Sequence, residues 1–147
     1  MGERLNAESS NIMKERFGKD TVIALATTED GMPSVRYVNA YYEDGAFYII
    51  THGLSNKMRQ IGKNPAAAVA GEWFTAHGTG ENLGYILKEE NKEIARKLRI
   101  AFASWYDNGH NDYSDPNTCI LCIRLTEGVL FFTAQDTKLF LKTHNDT

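Results

Sequence analysis

Thr21-Val22-Ile23-Ala24-Leu25-Ala26-Thr27-Thr28-Glu29-Asp30-Gly31, then Met32-Pro33-Ser34-Val35-Arg36-Tyr37-Val38-Asn39-Ala40-Tyr41-Tyr42-Glu43-Asp44-Gly45, then Ala46-Phe47-Tyr48-Ile49-Ile50-Thr51: this stretch decides the fold. Three runs rich in β-branched and aromatic residues are separated by two Asp-Gly pairs. Asp-Gly tolerates the positive φ angles of a tight hairpin turn, so two such pairs between β-type runs predict an antiparallel meander. The expected strands are residues 21–28, 34–42 and 46–51, with Pro33 opening the second segment.

Upstream, residues 7–17 read as a short helix. Ser9 or Ser10 could cap it, and Ile12, Met13, Arg16 and Phe17 would lay one edge on the body. Downstream, a short helix from Asn56 to Gly62 is ended by Asn64-Pro65, because the residue before a proline is pushed out of helical conformation. Residues 66–74 predict a fourth strand and 75–83 a fifth, loosened by Gly78 and Gly80. Ile94, Leu98, Phe102 and Trp105 form one stripe of a helix expected over 88–105, with Ala95 and Ala101 beside it. A polar loop fills 107–117. A final hairpin is expected from 118–126 and 128–133, turning at Glu127-Gly128, and the tail from Ala134 has no clear pattern. Six or seven antiparallel strands with few helices predict a mainly β domain over residues 1–147. A barrel removes exposed sheet edges, and the long helix would plug or flank it.

Composition narrows the function classes. The chain has 147 residues, 42% hydrophobic and 24% charged, ordinary for a globular domain with one sizeable core. A net charge of −3 argues against a partner that is a nucleic acid. No apolar run approaches the roughly 20 residues needed to span a bilayer, and the first residues lack an apolar signal segment. The expectation is therefore a cytoplasmic protein with no membrane partner. Two cysteines are too few for a disulfide framework.

One turn carries chemistry. The third strand ends at Thr51, a short connection His52-Gly53-Leu54 follows, and Ser55 stands where the next helix begins, with Lys57 on its first turn. The first N–H groups of a helix lack intrahelical partners and its dipole favours negative charge there. Hydroxyls, an ammonium and free N–H groups thus converge on a spot that suits a phosphate monoester. His52 could touch such a ligand or lie on the surface. Arg36 and Val38 share one strand face.

The ordered set Leu25-Ala26-Thr27, Gly31-Met32-Pro33, Arg36-Tyr37-Val38, Asp44 to Thr51, Ser55-Asn56-Lys57, Gln60-Ile61 and Asn64-Pro65 resembles the pyridoxamine 5'-phosphate oxidase-like superfamily, the FMN-binding split barrels. The pattern covers about the first half of the chain; the second half is similar in architecture. The resemblance implies a homodimeric split barrel with two FMN sites at the subunit interface. It places Arg36, Tyr37, Val38 and Asn39 along the flavin ring edge and ribityl chain. It gives the phosphate to Thr51, Ser55 and Lys57, adds Ile50, His52 and Asn56 to the cofactor set, and lets aromatic groups of the partner flank the ring. Trp73, Trp105 and Tyr106 could stack on the flavin or fill core and interface. The implied function is FMN-dependent redox chemistry on a small molecule with an electron donor such as a reduced nicotinamide. The alternative is a flavin-binding carrier or stress-related sensor without turnover. The oxidases that form pyridoxal phosphate carry an Arg-x-His element near the C-terminus. No such element occurs here, while a nitro-reducing branch fits the chain length.

The remaining motifs read as structure. Cys119-Ile120-Leu121-Cys122 is a lone C-x-x-C whose spacing in a strand sends the two thiols to opposite faces, which disfavours a redox pair or a shared metal; no metal is expected. His77-Gly78-Thr79-Gly80 lacks the third glycine of a dinucleotide loop and suits a bulged strand. No nucleophile–base arrangement identifies a catalytic residue, as expected where a cofactor carries the chemistry.

Overall fold

The computed structural model describes residues 3–4, 7–131 and 138–142. Its elements are β1 (Glu3–Arg4), α1 (Ala7–Phe17), β2 (Thr21–Glu29), β3 (Met32–Glu43), β4 (Ala46–His52), α2 (Asn56–Lys63), β5 (Ala66–Gly71), β6 (Phe74–Tyr85), a 3-10 turn (Glu89–Asn91), α3 (Lys92–Ala101), β7 (Thr118–Phe131) and β8 (Lys138–Lys142). The strands run in the order β1-β8-β7-β4-β3-β2-β5-β6, and β6 pairs back onto β7. Six strands, β2 to β7, therefore close a barrel, and β8 and β1 extend the sheet from β7.

The two Asp-Gly turns form as the sequence predicts. Asp30 and Gly31 have φ of 52° and 81°, Asp44 and Gly45 φ of 47° and 87°, the paired positive angles of the tight turns that match strand twist. Inward-facing residues of the strands meet in one core that includes Ile23, Leu25, Phe47, Ile49, Val69, Leu121 and Ile123. Each barrel end has its own plug. At one end Phe17 of α1 packs edge-on against Phe47 and tilted against Phe74, with ring centroids 5.6 and 5.4 Å apart. At the other, α2 buries Met58 and Ile61. A second cluster lies outside the barrel, where Leu98, Phe102 and Tyr106 cover Ile86 and Ile120. The α3 segment thus flanks the barrel and does not plug it. Among the described residues no helix is long and apolar enough to cross a membrane.

Several expected boundaries move. The helix of 7–17 starts at Ala7, so Ser9 is buried within it and neither Ser9 nor Ser10 is its cap. The fourth strand stops at Gly71, and the turn falls at Glu72-Trp73, with Trp73 at φ 51°. The helix expected over 88–105 is a 3-10 turn followed by only ten helical residues. Phe102 and Trp105 still face the second core, because successive turns carry the chain past Ala101. Glu127-Gly128 is not a hairpin turn: β7 runs unbroken through both. Gly128 is required by close approach, since a Cβ there would meet Thr75 O and the Ala76 side chain at 2.8 Å. The strand after β7 is β8, and Thr133 lies outside the described residues. His77 and Gly78 do flank a register shift, as a bulged strand predicts. Cys119 joins the barrel core, Cys122 lies on the other face beside Tyr48, and both are free, buried thiols.

Candidate functional site

The barrel is split between β3 and β4. The two strands pair only through Tyr41↔Tyr48, Tyr42↔Phe47 and Glu43↔Ala46. Beyond these rungs β3 follows β2 through nine further residues, Ala40 to Met32 and Thr21 to Glu29, while β4 from Ile49 to His52 follows β7. The separation opens a cleft whose far end is the turn into α2. Val38, Asn39, Ile49, Ile50 and Lys57 line it, together with Trp105 and the loop residues Asn108, His110 and Asn111, around about 250 Å³.

At the turn, Lys57 Nζ donates to Thr51 Oγ1 at 2.8 Å, and the Thr51 and Ser55 hydroxyls lie 3.5 Å apart. Ser55 occupies the N-cap position of α2 in extended conformation, yet its side chain makes no capping hydrogen bond. The hydroxyl is therefore not spent on its own helix, where Ser usually caps. The expected juxtaposition of Thr51, Ser55 and Lys57 at a helix start is present.

Arg36 completes the cluster, and its support was hidden from sequence reading. Its guanidinium donates to Leu25 O at 3.2 Å, Thr27 Oγ1 at 2.8 Å and Gln60 Oε1 at 3.3 Å. Thr27 is fully buried and in turn donates to Gln60. These acceptors are all neutral, and among the described residues neither Arg36 nor Lys57 has a carboxylate partner. Burial, reinforced by the charge of Arg36, lowers the Lys57 pKa; burial also lowers that of Arg36. Two partly buried cations without a carboxylate partner among the described residues suit an anion. No local motif links Thr27, Arg36 and Gln60, which come from β2, β3 and α2; only folding brings them together.

The other predicted residues divide. Val38 turns inward with Arg36 and packs on the core. Asn39 donates to Asp20 Oδ1 at 3.0 Å, and Trp105 Nε1 donates to Asp20 Oδ2 at 2.8 Å, so Asp20 fixes both at the cleft wall. Trp105 stacks on Phe102 with centroids 4.6 Å apart. His52 accepts from the Leu54 N–H through Nδ1 at 3.2 Å, and its Nε2 lies 3.4 Å from Asp115 Oδ2, which ties the turn to the 107–117 loop. Asn56 is exposed at the start of α2. Tyr37 points away from the cleft cluster and is 81% exposed. Trp73 lies in the β5–β6 turn at the α1 end of the barrel, opposite Lys57, so one chain does not bring it to the cleft. Tyr106 is buried, stacked on Tyr113, and belongs to the second core.

The outer face around Tyr37 is apolar. Register aligns Tyr37 with Ala24, Ala70 and Thr75 across β3, β2, β5 and β6, and Val35 with Ala26, Ala68 and His77 in the adjacent row. The alanines floor a groove of about 540 Å³, with Val35 at its edge, 71% exposed.

The sequence pattern of the pyridoxamine 5'-phosphate oxidase family matches residues 11–132. No curated protein matches the chain in sequence. Among solved structures, it is similar to a NimC/NimA family protein from Clostridium acetobutylicum, with 18% identity, TM-score 0.63, and 90% of this chain and 93% of that one covered. General Stress Protein 26 from Bacillus anthracis is similar at 15% identity and TM-score 0.64, covering 90% and 97%. A pyridoxamine 5'-phosphate oxidase-related, FMN-binding protein from Nostoc punctiforme is similar at 16% identity and TM-score 0.57, covering 84% and 81%. These identities carry the fold alone, while the family match spans most of the sequence: the chain belongs to the pyridoxamine 5'-phosphate oxidase-like superfamily.

Proposed function

We propose that the chain binds FMN in the split between β3 and β4 and uses it for redox chemistry on a small molecule. The carrying observation is the cation pair Arg36 and Lys57, without a carboxylate partner among the described residues, beside the Ser55 hydroxyl, which makes no capping bond to its own helix. A terminal phosphate fits these donors. Lys57, Arg36, Ser55 and the first N–H groups of α2 would hold it, and Val38, Asn39, Ile50 and Trp105 would line the rest. Bound flavin supplies the capacity to take up a hydride and pass electrons on; the chain's part is to anchor, orient and shield it. The Nostoc relative, named as FMN-binding, supports this reading.

The functional unit in this reading is a homodimer. The cleft of one chain, about 250 Å³, falls below the roughly 300–1,000 Å³ usual for a small-molecule site. The apolar face carrying Val35 and Tyr37 offers the surface for a second copy. Pairing through it would let Trp73 of the partner subunit approach the cleft. Pyridoxamine phosphate is not the substrate in this reading, since the Arg-x-His element that serves that oxidation is missing from the sequence.

The visible spectrum of the purified protein tests the cofactor. Flavin absorbance bands are expected, and their bleaching by a reduced nicotinamide marks an enzyme as against a carrier module. A colourless protein that fails to take up added FMN overturns the assignment.

A further inference from the structure

We propose that Lys57 is an acylation site: in the flavin-free chain the cleft draws a small acyl phosphate, and Lys57 Nζ takes its acyl group. The inference rests on the reading of this cleft as a phosphate site. It adds a covalent event at the residue that carries the phosphate contact.

The geometry supplies each requirement. An acyl phosphate places its carbonyl carbon one oxygen from phosphorus, so a phosphate held at Arg36 and the Ser55 turn sets the carbonyl beside Nζ. Thr51 Oγ1 fixes Nζ at 2.8 Å, and Leu25 O, Thr27 and Gln60 hold Arg36 in place. Nζ attacks the carbonyl carbon and a C–N bond forms. The C–O bond to phosphorus breaks, inorganic phosphate leaves with the electron pair, and the amine proton passes to that phosphate or to water. No oxidant or further reactant is needed. Arg36 favours departure of the anion.

Attack requires a neutral amine. Burial and the Arg36 charge lower the Lys57 pKa and favour the neutral amine, the held phosphate opposes this, and the preference therefore rests on the carbonyl standing beside Nζ. Three other lysines have the opposite surroundings. Lys63 lies 3.4 Å from Glu29, Lys92 3.9 Å from Glu89, and Lys97 2.6 Å from Glu43, which raises the Lys97 pKa. Acylation removes the Lys57 charge from the phosphate site, so the modified chain holds FMN less tightly, and bound FMN shields the amine.

The test treats the flavin-free full chain with acetyl phosphate and, separately, with the N-hydroxysuccinimide ester of acetic acid, which has no phosphate. Peptide mass mapping follows each lysine at early times. With acetyl phosphate, Lys57 is expected to acylate severalfold faster than Lys63 and Lys92, because only Lys57 stands at the proposed phosphate site. FMN and inorganic phosphate should both suppress it, and the ester should show a much smaller preference. Labelling of Lys57 no faster than of Lys63, or the same preference with both donors, overturns the proposal. FMN titration of the unlabelled chain and of Lys57→Met is read separately. Tight FMN binding without selective labelling overturns the acylation alone. Absence of FMN binding overturns the cofactor reading, and suppression by inorganic phosphate then decides the acylation.

Discussion

Lys57 Nζ donates to Thr51 Oγ1 at 2.8 Å, bridging the end of β4 to the first turn of α2. The bond closes the turn on itself and holds an ammonium beside the start of the helix. Replacing Lys57 by Ala should weaken FMN about tenfold to a hundredfold, the 1.5–3 kcal/mol of a charge-assisted hydrogen bond. Riboflavin, without the phosphate, should change little. Flavin fluorescence quenching measures both, and an equal loss for the two ligands would mean that Lys57 supports the fold only.

The pH dependence follows from the lowered Lys57 pKa. A bound phosphate favours the ammonium and raises that pKa again. FMN affinity is therefore full below the depressed value and falls as pH rises through it, starting below the ordinary lysine range near 10.4. In the flavin-free chain the sign for stability is opposite. The unfolded state binds more protons between the depressed and the ordinary pKa, so this residue adds stability as pH rises across that window. Titrations of Lys57→Arg, whose charge does not titrate there, should lack the alkaline decline in affinity; its persistence would assign it to another group.

Thr27 supports Arg36 from within the barrel. Thr27→Val keeps the shape but leaves one guanidinium N–H without its acceptor and Gln60 Oε1 with Arg36 as its remaining donor, a cost of about 1–3 kcal/mol. Denaturant unfolding should show that loss, and FMN affinity should fall as Arg36 loses its fixed position. Unchanged stability together with unchanged affinity would remove Thr27 from the site.

For the apolar outer face, Tyr37→Asp and Val35→Asp place a charge where the proposed second copy packs. Sedimentation at micromolar concentration should report twice the chain mass for the parent and a folded monomer for the variants, with flavin released. A parent monomer that retains flavin contradicts a site completed by the partner.

Much of this architecture was legible in the sequence, and its misreadings share a cause. Asp30-Gly31 and Asp44-Gly45 announce their turns because their local chemistry and the backbone need agree. Glu72-Trp73 turns without any turn-forming residue, and Trp73 adopts a positive φ that its type disfavours, so the β5–β6 boundary was invisible. Gly128 misled in the opposite direction. It looks like a turn residue but serves contact between β7 and β6, a requirement set by a strand more than fifty residues away. The same division holds in the cleft. Thr51, Ser55 and Lys57 are near neighbours and could be read together, whereas Thr27, Arg36 and Gln60 meet only through register and helix docking.

The three rungs joining Tyr41–Glu43 to Ala46–Tyr48 hold the closed end of the split. Beyond them β3 stays with β2 and β4 with β7, and β5 and β6 join those two pairs around the back of the barrel. The Tyr42 hydroxyl, which accepts the Gly45 N–H at 3.0 Å, and Lys97, bound to Glu43 from α3, fasten that closed end. The split is therefore a slot framed by paired strands, whose width is set by residues far from Lys57. In the proposed reading, changes in the hairpin around Asp44-Gly45 should alter which ring fits, and changes in the turn at Ser55 should alter the hold on its phosphate.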